Sequence, residues 1–418
     1  MTTGALTADT ALAAAASPPR VEHRRDVYDF IVGVLLVMYM VFFFGGIRLE
    51  ARGLPVRPED LIFLMLLPLG YRYALRPKTK LFFWIVAYFT VNFIPYFAAY
   101  YAGQYDLGTY PIILMKEVQY FYIAFLVAQN RAWWVLGAVD ALAVLLIAYG
   151  LRELIAGRIS YYGIGSFGMT DAPSLSGALY MFSTIWLHIR LKLLPTVALR
   201  SAAFVVVLLG IACTFATVSR TAIIAVTIYA IVYVFLARIV VFPALLAALG
   251  LTPWAIQVVA LSISAGLGLI AQQVVRRATA EQLASGASRA EKWLGYLQDM
   301  RAPDFIFGRG AGYPNALAGT YGLGVDSQYV RLTMERGIAG FIIVAAILLT
   351  MLIEIKRRGG EYQHAWAIVM AVMVMSIPFE ALQVSKSGGF FWLLMFYLLM
   401  CQRRYITRRP ALQVEAAD

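Results

Sequence analysis

The residues best suited to chemistry in this chain are cations in unusual places. Arg220 stands in Thr217-Val218-Ser219-Arg220-Thr221, a short turn between two apolar runs. Arg276, Arg277, Arg289, Lys292, Arg301, Arg309, Arg331 and Arg336 crowd the segment 276–336. Guanidinium groups bind oxyanions through paired N–H donors, so this concentration asks which anion they meet. Lys116, Glu117 and Asp140 lie inside apolar runs, where a charge costs roughly 2.5–3.5 kcal/mol on an insertion scale. Adjacent helical residues point about 100° apart, so Lys116 and Glu117 do not simply pair with each other, and each is expected to face the bundle or a cavity. Phe307-Gly308-Arg309-Gly310-Ala311-Gly312-Tyr313-Pro314 has the glycines of a dinucleotide loop, but no strand precedes it and no βαβ unit surrounds it. A tight turn that brings backbone N–H groups near a ligand is expected instead. Cys213 and Cys401 are far apart in sequence and beside apolar runs, so neither a disulfide nor a metal site is expected.

The elements that position these residues follow from composition. Hydrophobic residues make up 61% of the 418 and charged residues 14%, whereas soluble domains carry about 45–50% and about 25%. The apolar residues come in blocks of about twenty, the length that crosses about 30 Å of hydrocarbon as a helix. The expected fold is all-α, a polytopic transmembrane bundle. Its twelve spans fall near 28–47, 60–75, 81–101, 110–129, 132–154, 174–190, 201–218, 221–237, 253–275, 337–354, 365–380 and 389–402. The stretch 239–252, with Pro243 and Gly250, reads as a linker or re-entrant piece. Residues 1–27 and 403–418 are expected as cytoplasmic tails, with 28–402 as the membrane domain. His23, Arg24 and Arg25 before the first apolar run resemble the flank of an uncleaved signal anchor.

The net charge of +12 would suggest nucleic acid in a soluble protein. Here its distribution sets topology. With the N-terminus inside, 19 Lys and Arg residues fall in cytoplasmic segments and 6 in short outer loops, the asymmetry of cytoplasmic loops. Both termini are then inside, and 276–336 is a long outer loop. Ser288 and Glu291 have capping-box spacing, and Trp293, Leu294, Leu297 and Met300 follow at helical intervals. A short amphipathic helix on the outer membrane surface is expected there.

Three local patterns, covering roughly residues 210–350, resemble the bacterial O-antigen polymerase and O-antigen ligase family of integral membrane class C glycosyltransferases. Thr217-Val218-Ser219-Arg220 is similar to the family's Thr-x-Ser-Arg hairpin. Ser288-Arg289 with Trp293 and Phe307-Gly308-Arg309-Gly310 looks like its Arg-x-x-x-Trp to Gly-x-Gly run. Tyr329, Glu335, Gly337 and Gly340 fit its segment entering the next helix.

The resemblance implies a glycan donor on undecaprenyl diphosphate and an acceptor sugar hydroxyl of a lipid-linked repeat at the periplasmic face of a bacterial inner membrane. It implies no cofactor, metal, nucleotide sugar or nucleic acid. Membrane lipids and a chain-length regulator are candidate partners. Arg220 and Arg289 occupy positions where the family keeps arginines, and are expected to stabilise the departing diphosphate. Arg309, Arg331 and Lys386 are further candidates. The ligases carry a His where this chain has Asp326, and His23, His188 and His364 all fall in inner-side segments. Asp326 is therefore the candidate general base, and the substitution favours a polymerase over a ligase. Arg158, Tyr161 and Tyr162 in the loop 157–173, together with Tyr329, are candidates for glycan contact. A ligase acting on lipid A core, and a transporter or flippase of lipid-linked oligosaccharide suggested by Lys116, Glu117 and Asp140, are the alternatives.

Overall fold

The computed structural model describes residues 20–45, 49–51, 54–74, 80–101, 110–130, 132–156, 173–217, 219–237, 291–298, 300–310, 327–359, 361–377 and 385–400. The chain opens with α1 (Arg20–Gly45), β1 (Leu49–Ala51) and β2 (Leu54–Val56). Six long helices follow: α2 (Pro58–Ala74), α3 (Lys80–Tyr101), α4 (Tyr110–Gln129), α5 (Trp133–Ile155), α6 (Pro173–Leu191) and α7 (Val197–Ala216). Next come α8 (Arg220–Ala237), a helical stretch 291–298, the short α9 (Ala302–Phe307), α10 (Gln328–Arg357), α11 (Tyr362–Met375) and α12 (Ser385–Met400).

Each apolar stretch expected to span, except 253–275, falls on one of these helices. That stretch, the linker 239–252 and the tail 403–418 lie outside the described residues. Helix α1 begins at Arg20, ahead of its apolar segment Val27–Phe44. One departure appears just after it. The antiparallel pairing of Leu49 with Val56 and Ala51 with Leu54 adds a small hairpin to a fold expected to be all-α.

Among the described residues, four helical segments are long and apolar enough to cross a membrane: Val27–Phe44 within α1, Trp134–Ile155 in α5, Val197–Ala216 in α7 and Gln328–Arg357 in α10. Shorter apolar helical segments run over Thr221–Leu236, Tyr362–Met375 and Ser387–Met400. These helices are apolar both inside and outside. Trp186, Tyr180, Phe182, Phe391 and Phe396 are fully buried, while Phe30, Val41, Leu145, Ile231 and Phe235 are exposed. A helix apolar all round belongs in a large core or in lipid, and the exposed set here faces outward. The chain is a helical membrane protein.

Side-chain contacts show which helix ends share a face. Asn130 Nδ2 after α4 donates to the Asp29 carbonyl of α1 at 3.0 Å. Arg190, at the end of α6, pairs with Asp140 near the start of α5 and donates to Tyr397 Oη near the end of α12. Lys192 meets Glu361 at the start of α11. These groups form one end of the bundle, here the tie end. The other, the loop end, carries α9, the start of α10 and the end of α11, where Gln328 N donates to Ser376 O at 3.1 Å.

Candidate functional site

A broken helix organises the loop end. Gly337 interrupts α10 with φ 62° and ψ −166°, a conformation that L side chains rarely adopt. The break removes the α-helical acceptors' partners, and buried carbonyls need donors. The loop after α9 supplies them: Arg309 N donates to Met334 O at 2.7 Å and Gly310 N to Glu335 O at 2.9 Å. The two backbones touch. A Cβ at Gly308 (φ 75°) would fall on the Arg336 amide and the Glu335 carbonyl, and a Cβ at Gly337 would fall on the Ile306–Phe307 peptide. The turn expected from the Gly-x-Gly run is present, but the N–H groups of Arg309 and Gly310 serve the broken helix and not a ligand.

Helix α9 holds the loop in place. Asp304 Oδ2 accepts from Arg301 N at 2.9 Å, a cap, and from Arg309 Nε at 2.7 Å. Beside it, Tyr296 and Met300 pack on Val330 and Met334, with Trp293, Leu297 and Phe305 around them. The stretch 291–298 is therefore amphipathic as expected, but most of its apolar face is spent on α10; Leu294 alone of the expected apolar set stays exposed. A local core shared with α10 takes up most of that face.

Charges around the break are paired, within α10 and across elements. Arg331 Nε donates to Glu335 Oε1 at 2.9 Å. Arg336, 1% exposed, pairs with Glu117 of α4 and donates to Tyr88 Oη of α3, its guanidinium lying 4.6 Å over the Tyr88 ring. Lys116 pairs with Asp60 of α2, which also accepts from Gln119 Nε2 at 3.2 Å. A cleft of about 40 Å³ opens between α3, α4, α10 and α12, with Arg336, Glu117, Tyr88 and Gln328 as its polar groups and Phe89, Phe121 and Trp392 among its walls. That volume holds a few waters.

Arg309, Arg331 and Tyr329 thus gather at this end, Tyr329 with its hydroxyl donating to Met373 O at 2.7 Å. The backbone of Arg220 joins them through α8. Near the tie end, Tyr229 and Tyr233 of α8 meet His364 at the start of α11, so α8 runs antiparallel to α11 and its first residue lies beside the end of α11. Thr217 and Ser219 form the turn before it: Thr217 Oγ1 donates to Thr214 O at 2.7 Å and accepts from Ser219 N, while Ser219 Oγ accepts from Ala222 N. The Thr and Ser of the Thr-x-Ser-Arg run are thus helix-capping residues. Lys386 is the second residue of α12. The side chains of Arg220 and Lys386, and all of Arg158, Tyr161, Tyr162, Arg289 and Asp326, lie outside the described residues.

Sequence reasoning did not single out Tyr88 or Asp60, and named Arg336 only as one of the eight cations of 276–336. The signal available was the cost of Lys116 and Glu117 in an apolar run, which demanded partners from other helices. Asp140 likewise has one: Arg190 Nη2 lies 2.8 Å from its carboxylate, and Trp186 Nε1 donates to it at 2.7 Å. The charges that suggested a transporter are therefore held in ion pairs. Among the described residues, no group of three or more His, Cys, Asp or Glu is arranged to hold a metal. No protein-family model matches the chain, and no curated protein sequence matches it.

Proposed function

We propose that this protein is a metal-independent glycosyltransferase that extends a polysaccharide, an O-antigen or exopolysaccharide polymerase. In this reading twelve spans place both termini in the cytoplasm of a bacterial cell and the loop end at the periplasmic face of the inner membrane. The donor is a glycan on undecaprenyl diphosphate, and the acceptor is a sugar hydroxyl of a second lipid-linked repeat. The bond between the anomeric carbon and the phosphate oxygen breaks, and a new glycosidic bond forms to the acceptor oxygen. Negative charge grows on the departing diphosphate, so donors already oriented toward it lower the barrier most. Arg220 and Arg289 take that role, with Arg309, Arg331 and Lys386 around them. Asp326 accepts the acceptor's proton. Arg158, Tyr161, Tyr162 and Tyr329 contact the glycan.

The observation that carries this reading is the joint between residues 308–310 and 334–337. It ties together two runs that resemble the polymerase and ligase family, and α8 brings Arg220, in the third, to the same end. Asp304 and Glu335 orient the guanidinium groups of Arg309 and Arg331 through Nε.

The test is glycan length on the lipid carrier. Arg220→Ala and Arg289→Ala are expected to abolish polymer while insertion into the membrane is unchanged, and Asp326→Asn to slow it severely. Wild-type polymer from both arginine variants would remove the diphosphate role. Transfer of glycan to lipid A core without longer lipid-linked chains would make the protein a ligase.

A further inference from the structure

Arg336 has no part in the reaction just described, yet it sits where the site's three supports meet. Its side chain is fully buried, paired with Glu117 and stacked on Tyr88. Its backbone amide is packed against Gly308, and the next residue is the break at Gly337. One position before it, Glu335 holds Arg331 by its side chain and the Gly310 amide by its carbonyl. Gly340 leaves room for the Arg336 side chain, since a Cβ there would fall on it.

A buried ion pair is a poor way to gain stability. Desolvating both charges costs about as much as their attraction returns, and packed apolar residues of similar volume often do as well. What a guanidinium pair adds is direction: a planar group held by a carboxylate on one helix and an aromatic face on another has one orientation. Here the two anchors belong to α3 and α4, so they fix the rotation of α10 about its own axis at the residue before its break. A turned α10 would carry the Met334 and Glu335 carbonyls away from Arg309 and Gly310, and the Glu335 carboxylate away from Arg331.

We infer that Arg336, pinned by Glu117 and Tyr88, is a positioning residue that sets the orientation of Arg309 and Arg331 at the loop end. That these two arginines act on a substrate rests on the proposed function; that Arg336 positions the loop does not. A shift of about 1 Å in groups that stabilise a transition state lowers rate by about a hundredfold, so the effect belongs in turnover and not in donor affinity.

The experiment uses the full chain in lipid nanodiscs, with Cys213 and Cys401 replaced by Ala. Spin labels go on the exposed Ile306 of α9 and the exposed Leu349 of α10. The wild type is expected to give one narrow distance distribution, and Glu117→Gln, which keeps the shape and removes the charge, a broad or displaced one. Tyr88→Phe keeps the ring and is expected to stay near wild type. In the polymerisation assay Glu117→Gln should lower kcat about tenfold or more while KM for the lipid-linked donor stays within about twofold. Arg336→Lys, which supplies charge without the planar fork, is likewise expected to give a broad or displaced distribution. An unchanged distance distribution in both overturns the inference. A broadened distribution in a protein that makes no glycan upholds the positioning role and rejects the polymerase reading.

Discussion

The two ends of the bundle both bury charge, yet they do so differently. At the tie end the helices are regular and their termini are linked by side chains. Arg190 meets Asp140 and Tyr397. His188 Nδ1 lies 3.0 Å from Tyr229 Oη, which lies 2.7 Å from His364 Nδ1. Glu361 Oε2 lies 2.7 Å from His364 Nε2 outside hydrogen-bond alignment, and Lys192 at 3.2 Å completes the row. At the loop end, by contrast, the backbone itself is irregular. Gly308, Gly310 and Gly337 all take positive φ, and a helix gives up its own hydrogen bonds to hold a loop. Charge alone therefore does not distinguish the two ends; a break in a helix backbone whose carbonyls are taken up by a loop does.

Paired glycine substitutions give the largest expected contrast. Gly359, at the tie end, has φ 67° and open space where a Cβ would stand, whereas Gly337 has φ 62° and a peptide against it. Gly359→Ala is expected to cost about 1 kcal/mol from its backbone conformation alone. Gly337→Ala should undock the loop and abolish polymer. Thermal unfolding in detergent and limited proteolysis within 300–310 measure the difference; equal, small effects at both glycines would erase the contrast.

Separating chemistry from cohesion is the next test. Arg331→Lys, which keeps a charge beside the fully buried Glu335 but loses the planar fork, is expected to lower polymer output by up to about a hundredfold, the scale of losing one oriented donor, with the unfolding midpoint nearly unchanged. Arg190→Ala should do the reverse. It is expected to cost roughly 1–3 kcal/mol, less than a fully buried pair because Asp140 keeps 31% exposure, and to leave glycan length alone. A short-chain phenotype from Arg190→Ala at permissive temperature would mean that the ends are coupled.

The smallest expected effect is a pH dependence confined to the tie end. Burial pushes the Glu361 carboxyl up, but His364 and Lys192 outweigh it and leave the group below its usual 4.5. A depressed carboxyl contributes stability above its unfolded value, and that contribution disappears as pH falls through the folded value. Burial pushes Lys192 down, and Glu361 outweighs that too, leaving it above its usual 10.5. Its share is present below 10.5 and lost as pH rises through the folded value. The pair should therefore be insensitive between these limits. Glu361→Gln is expected to flatten the acid limb of a stability profile below about pH 4.5; an unchanged acid limb would show that the row contributes nothing.

Much of the loop end was legible as residues and little of it as geometry. The Gly-x-Gly run correctly signals a turn, because glycine is the residue that reaches positive φ without steric cost. Its role was not legible, because the carbonyls it serves lie some twenty-five residues on, exposed by a break that periodicity hides. Residues 328–357 are helical by pattern on both sides of Gly337. Trp293, Leu297 and Met300 signal an amphipathic helix, but period alone does not distinguish lipid from Val330 and Met334 as its partner.

Composition and local pattern dictate the solvent and most of the helices: long apolar blocks of helical length demand a bilayer, and the short polar run 217–220 separates two of them. The pairing of charges depends on how those helices pack. Lys116 with Asp60, Glu117 with Arg336 and Asp140 with Arg190 join residues 50 to 219 positions apart. The physical reason is that a charge in an apolar helix states that a partner is required, while the packing of neighbouring helices chooses which one.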